Sequence, residues 1–351
     1  MSTNNNSSSI ERSFYLPDLL SLSAPFKGSK NPHYAPAAAE SRAWLSQYMH
    51  VFDDQERATF ALASCELLVA NTYPKVPFEE FRTVCDFINM LFVLDEVSDK
   101  QSGVDARKTG DVFVKALREP EWDDGSDVSR MTKEFRARFV PTCGPRSFSR
   151  LLQHCVDYVA CFAREAELRE TQTVLDPLSY RDLRRGNSAV RVCFGLYEYA
   201  LGIDLPDEVF ENDTFRSLYW AAVDMTWWAN DIYSYDMEQA KGHTGNNVLT
   251  VLMQAHGLNL QDASTYAGKA YEEFMRTYLG AKEDLCAHSF GDAQLDKDVD
   301  RFIEGIENWP IGNIIWCFET VRYFPQPEEV KKTRLVVLRP TKANVDLSSG
   351  N

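Results

Sequence analysis

Phe81-Arg82-Thr83-Val84-Cys85-Asp86-Phe87-Ile88-Asn89-Met90-Leu91-Phe92-Val93-Leu94-Asp95-Glu96-Val97-Ser98-Asp99 is the stretch whose reading decides the fold. Val84, Phe87, Ile88, Leu91, Phe92 and Leu94 mark an apolar helical stripe in it, and its last turn carries Asp95, Glu96 and Asp99. Asp95 and Asp99 are four residues apart, so they share a face and can bridge hard cations through oxygen ligands. Ile88, Leu91 and Phe92 lie below them. An acidic rim above an apolar, aromatic floor suits a ligand with a charged head and a greasy tail. The competing explanation is a solvated acidic helix end. It lacks a stability rationale, because carboxylates at a C-terminal end oppose the helix dipole.

The same period continues on both sides of this stretch, and no sustained alternating strand pattern competes with it. The body therefore reads as all-α, with helices expected over 37–51, 54–70, 77–99, 105–118, 127–140, 145–169, 178–202, 214–241, 246–256, 260–287, 293–307 and 309–323. Two start signals stand out. Asp53 followed by Glu56 reads as a capping box, and Asp176-Pro177 places a capping carboxylate before a helix-compatible proline. About a dozen helices in 351 residues suggest one compact bundle, and no repeat or linker divides the core. Residues 1–36 are expected to form an irregular N-terminal strap, with Phe14 to Leu20 as its apolar patch, and 326–351 an irregular tail.

A net charge of −15 argues against nucleic acid or an anionic membrane as partner, since both rely on clustered Lys and Arg. It also means that an anionic substrate would need metal ions to approach. No uninterrupted apolar run is long enough to span a bilayer, and Met1 to Ser9 lacks an apolar signal core, so the expectation is a soluble, cytoplasmic protein. The eight cysteines are scattered without a Cys-x-x-Cys pair and read as reduced core thiols. The six histidines form no zinc-type cluster.

The partner for the first acidic face lies in Trp227-Trp228-Ala229-Asn230-Asp231-Ile232-Tyr233-Ser234-Tyr235-Asp236-Met237-Glu238. Asn230, Ser234 and Glu238 fall at i, i+4 and i+8, so an amide oxygen, a hydroxyl and a carboxylate line one helix face. That donor set suits Mg2+, which prefers oxygen and keeps waters for a phosphate to replace. Trp227 and Val223 precede them as an apolar wall.

Asp95-Glu96-x-x-Asp99 together with Asn230-Asp231-x-x-Ser234-x-x-x-Glu238 resembles the paired metal motifs of class I terpene synthases, over about residues 80–325. Leu16-Pro17-Asp18 and Asn230 to Tyr235 look like the fungal, basidiomycete sesquiterpene synthases. The resemblance implies a single class I synthase domain at 37–325, a bundle around a central cavity, Mg2+ (conventionally three ions, with Mn2+ as an alternative) and a prenyl diphosphate substrate, farnesyl diphosphate favoured. It implies a carbon–oxygen lyase that acts as a monomer or homodimer.

The resemblance also assigns roles. Arg322-Tyr323, expected on the final helix, matches a diphosphate-binding Arg-Tyr pair, and Arg184, 46 residues before Asn230, matches a diphosphate-sensing arginine, with Arg181 and Arg185 as neighbouring alternatives. Guanidinium groups stay charged and present a planar donor fork to phosphate. Relatives often carry a cation where Met237 stands here, and Lys241, one turn later, is its expected substitute. Glu96 is either a metal ligand or an arginine's partner. Ile88, Leu91, Phe92, Val223, Trp227 and Trp309 are the expected pocket wall, and Gly186-Asn187-Ser188-Ala189 an expected helix break whose Asn187 and Ser188 steer ionisation.

Three rivals bear on function. A chain-elongating prenyltransferase would usually carry two Asp-rich motifs, which the Asn/Ser/Glu set argues against. A synthase with an acyclic or monoterpene alcohol product, of linalool or nerolidol type, shares every motif. A non-catalytic helical scaffold would have lost a ligand or the Arg-Tyr pair, and none is lost.

Overall fold

The computed structural model describes residues 12–243 and 245–340. Strand β1 (Ser13–Tyr15) leads to α1 (Leu19–Leu22) and α2 (Tyr34–Leu45), which tightens into a 3-10 turn over Ser46–Val51. Next come α3 (Asp54–Ala63), α4 (Cys65–Thr72), α5 (Phe78–Ser98), α6 (Gly103–Arg118), α7 (Asp127–Phe139) and α8 (Pro145–Glu170). The second half holds α9 (Pro177–Asn187), α10 (Val190–Leu201), α11 (Asp207–Glu211), α12 (Asp213–Lys241), α13 (Val248–His256) and α14 (Leu260–Cys286). It ends with α15 (Ala293–Ile306), α16 (Asn308–Glu319), α17 (Pro327–Thr333) and strand β2 (Leu335–Val337).

The inner helices are α5 and α12. α5 packs against α2, α4, α7 and α10, while α12 packs along α14 and α16. Along α5, Phe81, Val84, Phe87, Ile88, Leu91 and Leu94 are all buried. Each such side chain contributes about 1.5–3 kcal/mol relative to exposure. Polar groups carried inward with them find partners: Asp86 accepts from Ser41 Oγ at 2.6 Å and pairs with Arg82 and Arg138, and Asn89 Nδ2 donates to Glu66 at 2.9 Å, while Asn89 Oδ1 has no hydrogen-bond partner among the described residues.

Both expected start signals form. Asp53 Oδ1 accepts from Glu56 N at 2.8 Å while Glu56 Oε2 accepts from Asp53 N at 3.0 Å, and Asp176 caps Leu178 and Ser179 ahead of Pro177. Three expected helices are shorter than their patterns. The run 54–70 splits at Ser64, left-handed at φ 47°, and the Ala63 carbonyl freed there accepts from Trp316 Nε1 at 2.8 Å. The run 178–202 splits at Ala189, φ 59°, inside the expected break. The run 309–323 ends at Glu319, so Arg322 and Tyr323 do not lie on the final helix but in the bends beyond it. α16 approaches α4 closely through Gly312, where a Cβ would stand 2.5 Å from the Asn71 carbonyl oxygen.

The two ends are more ordered than the irregular segments expected from composition. Within 1–36, β1 and α1 form; within 326–351, α17 and β2 form, and β1 pairs antiparallel with β2, Phe14 opposite Val336. Local composition hides this, because the partner strand lies about 300 residues away and supplies the hydrogen bonds. The strap does cross the bundle: Phe14 packs edge-on against Tyr235 of α12 at 5.8 Å, and Ser264 Oγ of α14 donates to the Tyr15 carbonyl at 2.7 Å. Residues 1–11 and 341–351 lie outside the described residues.

Candidate active site

α4, α5, α8, the α9–α10 break, α12, α16 and the chain beyond it line one cavity that opens to solvent at its mouth. Its floor is apolar and aromatic: Leu68, Ile88, Leu91, Phe92, Trp227, Trp309 and Trp316. Its mouth carries Asp95, Asp99, Arg184, Asn230, Glu238, Lys241, Arg322 and Tyr323. Asn187 and Ser188 reach it from the break.

On the α5 wall, Glu96 accepts from Arg322 Nη2 at 3.3 Å and stands 3.6 Å from Lys241 Nζ, which makes it the cations' partner. Asp99 accepts from Arg169 at 3.3 Å, with His243 Nδ1 3.7 Å away. Asp95 faces the mouth, exposed there but ringed by acids. The apolar cavity walls push its carboxyl up, with Asp99, Glu96 and Glu165 adding to the shift, while solvent at the mouth tempers it.

On the α12 wall, Asn230 Nδ2 donates to the Tyr323 hydroxyl at 2.9 Å, and Asn247 Nδ2 donates to Glu238 Oε2 at 2.9 Å. Burial, then the nearby Asp231, pushes the Glu238 carboxyl up to about 7, opposed by the Ser234 hydroxyl and Asn247. Asp231 faces away from the cavity. It accepts from Tyr180 OH at 2.6 Å, from Val248 N at 3.0 Å, and from Arg184 through Nε at 3.0 Å and Nη2 at 2.6 Å. This aims the Arg184 guanidinium, whose Nη1 donates to Asn187 Oδ1 at 3.0 Å. Of the three neighbouring arginines only Arg184 lines the cavity: Arg185 pairs with Asp224 on the outer side, and Arg181 lies beside Asp182.

One expected site residue stands elsewhere. Val223 is fully buried one turn below the cavity, and Thr226 takes the place expected for it, because the cavity-facing row of α12 runs through 226, 227 and 230. Ser234 is buried beside Glu238, whose carboxylate its hydroxyl meets, with the Asp231 carbonyl 3.4 Å away. Conversely, Glu165, Asn246 and His243 line the cavity without having been singled out. Glu165 was readable. Leu151, Cys155, Tyr158, Phe162, Glu165 and Arg169 form one helical stripe of α8, in which an acid interrupts apolar residues.

The residues fit a metal-bound anion. Among the described residues no three His, Cys, Asp or Glu side chains close into a ready-made cage, yet oxygen donors stand on two walls with two carboxyls held above their ordinary range. The buried Arg322 Nε has no hydrogen-bond partner among the described residues. A donor left over at the mouth is what an arriving acceptor would satisfy.

Solved structures share this architecture: germacradien-4-ol synthase from Streptomyces citricolor has a TM-score of 0.75 at 20% identity over 84% of this chain and 97% of that one, and hedycaryol synthase 0.75 at 19% over 86% and 98%. The fold is the class I terpene synthase α-bundle. The profile described as "Terpene synthase family 2, C-terminal metal binding" matches residues 86–277. Relatives span nearly the whole chain. A Coprinopsis cinerea protein named "Linoleate 10R-lipoxygenase COP4" is 52% identical over 94% of both chains. "Bifunctional terpene synthase Agr4" of Cyclocybe aegerita is 48% identical over 98% of both, and "viridiflorene synthase Agr2" of the same fungus 42% over 94% and 87%. The chain belongs to the terpene synthase family, within its fungal sesquiterpene synthase branch, and is a terpene synthase.

Proposed function

We propose that this enzyme ionises farnesyl diphosphate in the presence of Mg2+ and cyclises the resulting cation, releasing diphosphate. One observation carries the reading: oxygen donors on α5 and α12 and the cations Arg184, Lys241 and Arg322 surround one mouth above an apolar, aromatic floor. Asp95 and Asp99 on one side, and Asn230, Ser234 and Glu238 on the other, would hold the Mg2+. When bound, the metal supplies Lewis-acid stabilisation of charge building on the departing diphosphate.

The protein's own groups supply the rest. Arg184, aimed by Asp231, and Arg322, tied to Glu96, offer donors to the leaving group, and the Tyr323 hydroxyl stands beside Asn230 to join them. Lys241 brings the charge that Met237 lacks. Asn187 and Ser188 lie at the break, where the isoprenoid's reacting end would enter. Below, Ile88, Leu91, Phe92, Trp227 and Trp309 exclude water, and their rings stabilise the allylic cation by cation–π attraction. The oxygenase name on one relative suggests a different chemistry. Non-haem iron oxygenation of the facial-triad type calls for two imidazole ligands beside a carboxylate, and His243 is the one histidine among the described lining residues.

The test is incubation of the purified protein with geranyl, farnesyl and geranylgeranyl diphosphate plus Mg2+, with volatiles resolved by gas chromatography and mass spectrometry. A cyclic C15 product from farnesyl diphosphate is expected. An acyclic or C10 alcohol as the main product would move the reading to the linalool or nerolidol type. Neither volatile product nor diphosphate release from any substrate would sink it.

A further inference from the structure

Arg322 and Tyr323 stand past the last turn of α16, where no helix ladder fixes them, yet both must hold a defined place at the mouth. Their anchor comes from the far C-terminal segment. Arg339 Nη2 donates to the Tyr323 carbonyl at 2.9 Å, and Arg339 Nε donates to Asp236 Oδ2 at 2.6 Å. The Arg339 backbone is held as well: its N–H donates to Asp236 Oδ1 at 2.7 Å, and its carbonyl accepts from Gln239 Nε2 at 2.9 Å. Asp236 is 2% exposed and lies on α12 between Ser234 and Glu238, outside the cavity lining.

We propose that Arg339 is a positioning residue for the diphosphate site, clasping the Arg322-Tyr323 bend to α12 through Asp236. The proposal rests on the terpene synthase reading above. One guanidinium ties the helix bearing Asn230 and Glu238 to the backbone of the residue whose hydroxyl meets Asn230. The fold delivers it by the terminal strands. β2 pairs with β1, Leu338 N donates to the Arg12 carbonyl at 2.8 Å, and Phe14 packs on Tyr235, the neighbour of Asp236. Asp236 would otherwise be a buried carboxylate without its charge partner, so the clasp is strongly favoured once the strap is in place. The tail thereby reaches the chemistry without touching substrate.

The test compares the full chain with Arg339→Ala, Arg339→Lys and Asp236→Asn in two measurements. The first is amide hydrogen exchange of residues 320–326 in the metal-free protein. Arg339→Ala is expected to lose protection there while the peptides of α5 keep theirs. The second is binding of inorganic diphosphate with Mg2+, together with kcat/KM for farnesyl diphosphate. Both are expected to weaken, by about 10- to 100-fold in kcat/KM, the scale on which a displacement of about 1 Å acts. Arg339→Lys should recover part of the loss, and Asp236→Asn, which keeps an acceptor for the backbone N–H, should fall between. Unchanged exchange at 320–326, or altered exchange with diphosphate binding and kcat/KM intact, overturns the proposal. A parent protein that neither binds diphosphate with Mg2+ nor releases it from farnesyl diphosphate overturns instead the reading on which it rests.

Discussion

Asp95 holds its acid at a cost. Desolvation by the cavity walls raises its carboxyl toward about 8 in the folded chain, a shift tempered by solvent at the mouth, against about 4 for an unfolded aspartate. Between those values the folded state keeps a proton that the unfolded state has released, so stability falls as pH rises through that window. Asp95→Asn is therefore expected to raise the metal-free melting temperature at pH 8 and to leave it nearly unchanged at pH 4. A melting temperature at pH 8 equal to or below the parent's would contradict this. The same exchange removes a proposed metal donor, so Asp95→Asn, like Asn230→Ala, should lower turnover by about 100-fold or more with helical content intact. Full activity in either would refute the assigned role. Asp95, Asp99, Asn230 and Glu238 were legible because helical spacing alone puts each pair on one face. Ser234 shares that spacing and sits buried on the same face, its hydroxyl in reach of the Glu238 carboxylate.

Elements were legible where helical periodicity runs long, as at α5, α8 and α12, or where a cap marks the start, as at α3 and α9. Their interruptions were less so: Ser64 and Ala189 are ordinary residues whose side chains do not announce a left-handed backbone. The α9–α10 break had a local signal in Gly186-Asn187-Ser188-Ala189, whereas the α3–α4 break answers to Trp316, some 250 residues away. Close contact of α4 with α16 depends on Gly312. Gly312→Ala should cost about 1–3 kcal/mol by driving a methyl into the Asn71 backbone. Chemical denaturation measures this, and an unchanged midpoint would show that the two helices can part without loss. Because these helices carry Trp316 and lead to Arg322, the same variant should also lower turnover.

For the molecule as a whole, two facing walls of acid share one mouth with three cations, so neither metal nor anion alone should satisfy it. Mg2+ with inorganic diphosphate is expected to raise the melting temperature well beyond Mg2+ or diphosphate added singly. Saturation at about 100 times Kd corresponds to about 2.7 kcal/mol of stabilisation. Chelation by EDTA should return the protein to its metal-free melting temperature, and equal shifts from diphosphate with and without Mg2+ would argue against a shared site. Among the described residues no helix is long and apolar enough to cross a membrane. The amino-acid sequence by itself determined the all-α class and the two oxygen-bearing faces, because helix period and residue chemistry are local properties, while Arg184 and Arg322 stood out only through the resemblance to class I terpene synthases. Only the tertiary structure decided that Glu165 joins the cavity while Val223 leaves it, that Glu96 pairs with Arg322 and Lys241, and that Arg339 reaches the Tyr323 carbonyl. Those facts depend on how helices rotate and cross when apolar surface is buried, and on strands joined across the whole chain, which no local pattern encodes.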